Sequence, residues 1–176
     1  MKKILTALLL LPCLALGAPQ PLPTGATYEV AFSPRGQSLQ IVLSGINGAR
    51  ESILVAAYPF TSKPIATALL DAHKRGVRVQ IVADKKSNSG KYSAVTFLAN
   101  QGVPVRLNDR YAIHHHKFMV IDGTTLETGS FNYSAGAVNK NAENVIVLRN
   151  AAPVAQAYAR EWQRLWDEAY ELKPAY

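Results

Sequence analysis

His115 and Lys117, followed by Asp122 and then by Gly129, Ser130 and Asn132, gather an imidazole, an ammonium and small hydrogen-bonding side chains into one short stretch. The pattern is H-x-K-x4-D-x6-G-S-x-N. An imidazole can attack phosphorus, and a fixed cation with amide and hydroxyl donors can neutralise the oxygens of a phosphodiester as charge gathers on them. The segment therefore suits phosphoryl chemistry. His-x-Lys occurs once in the chain, so one copy must suffice or be shared between subunits.

The triplet His114-His115-His116 also raises a metal site, since imidazole is a common ligand. In an extended segment alternate side chains face opposite ways. His115 and Lys117 then share one face, and His116 and Phe118 share the other. With His115 turned from its two neighbours and no Cys or acidic cluster close in sequence, no metal and no cofactor is expected. Neither a phosphate-binding glycine loop nor a dinucleotide glycine pattern is present.

The elements that must position these residues follow from the hydrophobic pattern. Strands are expected at Thr27 to Phe32, Ser52 to Tyr58, Val77 to Ala83, Val103 to Leu107, Lys117 to Ile121, Thr124 to Thr128 and Asn144 to Leu148. Asp122-Gly123 signals a tight hairpin turn between two of them. Leu39, Ile41, Val42, Leu43 and Ile46 suit a helix facing a core. Ile65, Leu69, Leu70 and His73 mark a second, with Pro64 placed for its first turn and Gly76 for its stop. Tyr92 to Ala99 reads as a third. A last helix runs from about Ala152 to Glu171, and its apolar stripe makes Trp162 and Trp166 core residues. The alternation predicts an α/β fold, a mixed β-sheet flanked by helices on both faces.

The chain has 176 residues, 48% of them hydrophobic, enough for one domain with a substantial core. Met1-Lys2-Lys3, the apolar run Ile4 to Leu16 and the small residues Ala15 and Gly17 read as a signal peptide over 1–17, cut before Ala18. The apolar run is about 13 residues, short of the roughly 18–20 that span a bilayer, so no stable membrane anchor is expected after cleavage. Residues 18–24 read as a proline-rich linker and 25–176 as the domain. Cys13 is the only cysteine, and Pro12 before it does not fit a lipid-modified site. The mature chain would hold no disulfide and would act in the periplasm or outside the cell. Losing Lys2 and Lys3 lowers the formal charge of +7 by two, to +5. A basic exported domain suggests a polyanionic partner, with nucleic acid, anionic lipid and acidic polysaccharide all open on charge alone.

The spaced motif resembles the signature of the phospholipase D superfamily, and the chain resembles its small, single-motif bacterial nucleases. Ala31-Phe32-Ser33-Pro34 and Ala57-Tyr58-Pro59-Phe60-Thr61-Ser62 resemble that group's first strand and its second strand with the following loop. The resemblance implies that His115 attacks phosphorus to form a phosphohistidine. A second His115 from a partner subunit would protonate the leaving oxygen and then activate water. Lys117 and Asn132 would hold the non-bridging oxygens, with Ser130 adding a hydrogen bond. Glu143 matches the position whose carboxylate bonds the nucleophilic histidine. Asp122 and Gly129 are assigned structural roles. Two histidines on opposite sides of one phosphorus call for a two-fold axis, hence a homodimer with one composite site.

The motif leaves the phosphodiester open. A nuclease is expected first, acting on DNA and on RNA as a second polymer, with a phospholipase D acting on phospholipid headgroups as the alternative. Arg35, Lys85, Lys86, Lys91, Arg110 and Lys140 are candidates for contacts to a nucleic-acid backbone, which would be salt-dependent and largely sequence-independent. Phe60 and Tyr111 are candidates to line the cleft.

Overall fold

The computed structural model describes residues 19–90 and 93–174. The expected signal peptide, Lys91 and the expected helix start at Tyr92 lie outside the described residues. Apolar runs rich in Val, Ile and Ala become strands, and the stretches with helical spacing between them become helices. In chain order these are β1 (Thr27–Ser33), α1 (Ser38–Gly48), β2 (Ser52–Ala57), α2 (Lys63–Lys74), β3 (Arg78–Asp84), α3 (Lys85–Asn88), α4 (Ala94–Asn100), β4 (Val105–Asn108), β5 (Phe118–Ile121), β6 (Thr125–Gly129), α5 (Ala135–Asn139), β7 (Glu143–Arg149), α6 (Ala152–Asp167) and β8 (Tyr170–Glu171). One sheet holds all the strands in the order β1-β7-β6-β5-β2-β3-β4-β8. The β2–β3 and β3–β4 pairs are parallel, joined through α2 and α4, and the others are antiparallel.

The middle of the sheet is buried on both faces. On one side Ile53, Val55, Ile81, Met119, Ile121, Val145 and Val147 pack with Ile46, Ile65, Leu69 and Leu98 of α1, α2 and α4. On the other, Ala56, Val82, Phe118, Val120 and Leu126 pack under Ala155, Trp162 and Leu165 of α6. The Trp162 indole donates to the Val55 carbonyl at 2.8 Å, so its one polar atom is satisfied inside the core. All four residues of β5 are buried, which fixes this strand near the middle of the sheet.

Three elements differ from the sequence expectation. The last helix stops at Asp167, and Tyr170 and Glu171 turn back to pair with Leu107 and Arg106. The cause is on β4: the Arg106 guanidinium donates to the Trp166 carbonyl at 2.9 Å and the Asn108 amide to the Leu165 carbonyl at 3.2 Å. These side chains satisfy the carbonyls that another turn of helix would have used. The short helices α3 and α5 carry too few apolar residues to show a period. Each is set by a cap: the Asp84 carboxylate accepts from Ser87 N–H at 2.7 Å, and Ser134 Oγ accepts from Ala137 N–H at 3.2 Å.

The hairpin that carries the motif is pinned from across the sheet. Asp122 and Gly123 both have positive φ, 50° and 64°, the two-residue turn that fits twisted strands. The Asp122 carboxylate then accepts from the backbone N–H groups of Glu51, Ser52 and Arg50 at 2.8, 2.9 and 3.0 Å. Partial burial alone would raise this carboxyl. The backbone donors outweigh it and hold it below the usual carboxylate range. Asp122→Ala should therefore destabilise the fold by about 1–3 kcal/mol, water replacing part of what is lost. Because the folded carboxyl is the stronger acid, its contribution is complete above its ordinary value near pH 4 and fades as pH falls through the lowered one. Urea unfolding of both proteins at pH 7 and pH 3 should show the gap between them shrinking at the acid end.

Candidate active site

β5 leads back from the core into the stretch His114 to Lys117, and the end of β6 leads into Ser130 to Asn132. The two run side by side because Phe118 pairs with Thr128 and Ala56 with Phe118. An open cleft of about 780 Å³ lies where they leave the sheet. It is lined by His115, His116, Lys117, Ser130, Asn132 and Glu143 from these segments and the start of β7, with Ala157, Tyr158 and Glu161 of α6 forming the opposite wall.

Lys117 sets the electrostatics. Its side chain is only 8% exposed. Its ammonium donates to the His115 carbonyl at 2.8 Å and lies 5.2 Å from the centre of the Tyr58 ring. Among the described residues no carboxylate lies within ion-pair distance of it. Burial lowers its pKa, and the more distant charge of Glu143 offsets that only in part. A cation held out of water against neutral partners is poised for an anion. His115 is exposed, and its ring meets the Tyr58 ring edge-on at 4.6 Å, so the imidazole and the Lys117 ammonium share one aromatic neighbour.

Ser130 and Glu143 are coupled. Ser130 Oγ donates to Glu143 Oε2 at 2.6 Å and accepts from Asn144 N–H at 3.0 Å, while the Asn141 amide donates to Glu143 Oε1 at 3.0 Å. Both carboxylate oxygens thus have partners within the chain, and neither partner is its own His115. Gly129 is required by the approach of β7: a Cβ there would stand 2.2 Å from the Asn144 carbonyl oxygen. The Asn132 side chain carries a buried amide oxygen with no hydrogen-bond partner; that oxygen only accepts, so it is the amide NH2 of Asn132 that can serve a phosphate oxygen.

The loop bearing Asn132 is held from below. Tyr133, fully buried, donates its hydroxyl to Glu127 Oε2 at 2.6 Å, and its carbonyl accepts from Thr61 and Ser62 N–H, both at 2.8 Å. Burial raises the Glu127 carboxyl to about 8, against a smaller lowering by the Tyr133 hydroxyl.

The alternation of the triplet is kept. His114 and His116 approach each other with ring centres 5.6 Å apart, and His116 meets Phe118 at the same spacing. His114 is buried, with neither ring nitrogen paired, and burial followed by the neighbouring His116 lowers its pKa to about 4. His116 lies 3.5 Å from Glu161. Among the described residues no group of three His, Cys, Asp or Glu is placed to hold a metal.

The substrate contacts expected from sequence are corrected in part. Phe60 does not line the cleft. It is fully buried, bridges to Tyr133 and packs edge-on against that ring at 5.6 Å. Lys85 is engaged by Asp109 at 3.0 Å. Arg110 and Lys140 are exposed but stand outside the cleft lining, as does Lys85. Tyr111 borders a smaller neighbouring pocket with Ile113, His114 and Arg164, its hydroxyl shared between Arg164 and Glu168. Sequence reasoning gave no site role to Tyr58, Thr128, Tyr158 or Glu161. Tyr58 had a signal, since it follows the buried run of β2 and must emerge beside the motif strand.

Residues 42–166 match the family model described as cardiolipin synthase, PLD-like domain. The chain is 36% identical over 121 residues to a mitochondrial cardiolipin hydrolase of Xenopus laevis, covering 69% of this chain and 57% of that protein. It is 37% identical over 134 residues to a phospholipase D of Rickettsia bellii, covering 76% and 66%. The chain thus spans about three fifths to two thirds of the length of these relatives. Among solved structures, Nuc of Salmonella typhimurium, a phospholipase D family member, superposes with a TM-score of 0.82 at 39% identity over 84% of this chain and 99% of that one. NucT from Helicobacter pylori superposes with 0.75 at 26% identity over the same shares.

A raised carboxyl under the site makes a stability prediction. Folded Glu127 keeps its proton up to about pH 8, whereas the unfolded chain releases it near the ordinary 4.5. Wild-type stability should fall as pH rises between these values. Glu127→Gln keeps an acceptor for Tyr133 and has no charge to bury. Chemical denaturation should find it more stable than wild type at pH 9, by on the order of 3 kcal/mol, with the difference gone at pH 4.

Proposed function

The chain belongs to the phospholipase D family, and from that premise we propose that it is a metal-independent phosphodiesterase, an endonuclease that cleaves DNA and RNA through a phosphohistidine. The observation that carries the reading is the buried Lys117, without a carboxylate partner, lining one open cleft with an exposed His115. A phosphodiester seated there would place a non-bridging oxygen on Lys117 and an amide donor of Asn132, with His115 beside phosphorus. Attack by the imidazole forms the N–P bond and breaks the P–O bond to the leaving group. Water then attacks phosphorus and returns the imidazole.

The second proton-transfer group is the His115 of a partner subunit, which makes the protein a homodimer with one shared site. Within one chain the nearest carboxylates are already committed: Glu143 to Ser130 and Asn141, and Glu161 to Arg164. Among the described residues that leaves no unengaged carboxylate in the cleft lining. The leader over 1–17 would send the enzyme to the periplasm or beyond the cell. The similarity to Nuc over nearly its whole length and the basic charge favour nucleic acid. Relatives named as a cardiolipin hydrolase and a phospholipase D support a second reading, release of a phospholipid headgroup.

Purified protein mixed with plasmid and with RNA in excess chelator should degrade both, and His115→Ala should lose at least about 1,000-fold of that activity. Lys117→Ala should lose about 100-fold or more, and mostly in kcat. Survival of plasmid and RNA while cardiolipin or phosphatidylcholine vesicles are hydrolysed would replace the nuclease by the phospholipase. Loss of all activity with chelator, regained on adding a divalent cation, would remove the metal-free mechanism.

A further inference from the structure

His115 does not sit on the paired part of its strand. The ladder of β5 begins at Phe118, opposite Ala56 of β2 and Thr128 of β6. His114 to Lys117 lie ahead of it, past the end of the sheet. β2 and β3 end at the same edge, because they are parallel to each other and β5 runs against β2. Asp84 is the last residue of β3, and Tyr58 follows the last residue of β2. Asp84 is buried, and among the described residues no cation lies within ion-pair distance of it. A carboxylate held out of water in this way is costly unless its oxygens are bonded. One accepts from Ser87 N–H at 2.7 Å and the other from His114 N–H at 2.9 Å. Two converging N–H groups need an acceptor on each side, and an amide would turn its NH2 on one of them. Asn88, also buried, serves the neighbouring strand end. Its amide donates to the Tyr58 carbonyl at 2.6 Å and the Asp84 carbonyl at 2.8 Å, and its oxygen accepts from Phe60 N–H at 3.0 Å. The backbone on both sides of Pro59 is thereby fixed. The Tyr58 ring that leaves it meets the His115 ring at 4.6 Å and the Lys117 ammonium at 5.2 Å.

We propose that Asp84, Asn88 and Tyr58 are positioning residues that together clamp the nucleophile in place. Asp84 holds the main chain one residue before His115. Tyr58, itself set by Asn88, holds the His115 imidazole and the Lys117 ammonium from the side. None of the three lines the cleft, so each acts through the residues that do. The clamp rests on the reading of His115 as the nucleophile and is indifferent to which phosphodiester is cut. It also explains why a segment outside the ladder can present an attacking group. Displacing such a group by about 1 Å costs on the order of 100-fold in rate, so two separate anchors on one short segment matter to chemistry more than to binding. Loss of either anchor should therefore appear in kcat and leave KM nearly alone.

Tyr58→Leu, Tyr58→Phe and Asp84→Asn test this on bis(para-nitrophenyl) phosphate, a diester with neither base nor lipid tail. Rates are normalised to the folded fraction from circular dichroism at the assay temperature. Tyr58→Leu and Asp84→Asn should each lower kcat by about 10-fold or more, with KM within about threefold of wild type. Tyr58→Phe should recover most of what Leu loses, since the hydroxyl makes none of these contacts. Two readouts need no turnover. The His115 Cε1–H signal in a proton–carbon NMR spectrum feels the Tyr58 ring current, and it should move in Tyr58→Leu and stay in Tyr58→Phe. Hydrogen exchange of the His114 amide should quicken in Asp84→Asn beyond any change in its neighbours. A Tyr58→Leu protein with wild-type kcat, losses confined to KM or to the unfolded fraction, an unmoved His115 signal, or an unchanged His114 amide would overturn the clamp. A His115→Ala protein that keeps its turnover would remove the nucleophile reading alone, because the His115 signal and the His114 amide report the contacts without it.

Discussion

A strand of four residues with no solvent on either face governs this molecule. β5 buries Phe118 and Val120 under α6, and Met119 and Ile121 toward α1. Such a strand can lie only in the interior of a two-sided sheet, and here it joins the parallel half to the antiparallel half. The residues just before it must therefore emerge from the core at the sheet's end. That is how Lys117 comes to be nearly out of water while His115, two residues earlier, meets it. Moving the strand by one position would exchange the pair with His116 and Phe118, and the cation would be lost into the α6 core.

The chemistry of the cleft follows from what surrounds that cation. Tyr58 offers an aromatic face and His115 a carbonyl, both weaker partners than an anion. Glu143 is near enough to be felt but is occupied by Ser130 and Asn141. Below, Glu127 and Tyr133 hold each other inside the core and fix the loop from which Asn132 reaches the cleft. The site is thus built of one cation without a carboxylate partner, an Asn132 amide oxygen without a partner, and a Ser130–Glu143 pair whose needs are met within the chain. This is how a pocket stays open to a phosphate without collapsing on itself.

Much of this was legible in the sequence because the signals were local. The spacing of His115, Lys117, Gly129, Ser130 and Asn132 is a strand, a tight turn and a returning strand, and alternation put His115 and Lys117 together and His114 away from them, though His116 also reaches the cleft lining. The strong periods of α1, α2 and α6 showed as well. What did not show depends on contacts made at a distance. The end of α6 is decided by Arg106 and Asn108, far earlier in the chain, taking its last carbonyls. Phe60 looks in sequence like a loop aromatic free to meet a ligand, but Tyr133 draws it into the core. Lys85 and Arg110 count as basic charge in composition and lie away from the cleft once folded.

The three hydrogen bonds from the start of β2 to the Asp122 carboxylate join positions 70 to 72 residues apart. β1 meets β7 across an even longer separation. Contacts of such range form only after the entropy of closing long loops has been met, so they come late and slow the folding of the chain. The cleft sits between them. A growing or partly folded chain can carry the entire motif in sequence and still have no site. Hydrolytic capacity would switch on only when residues near both ends of the domain have paired, which keeps an enzyme of this design inert along most of its folding path.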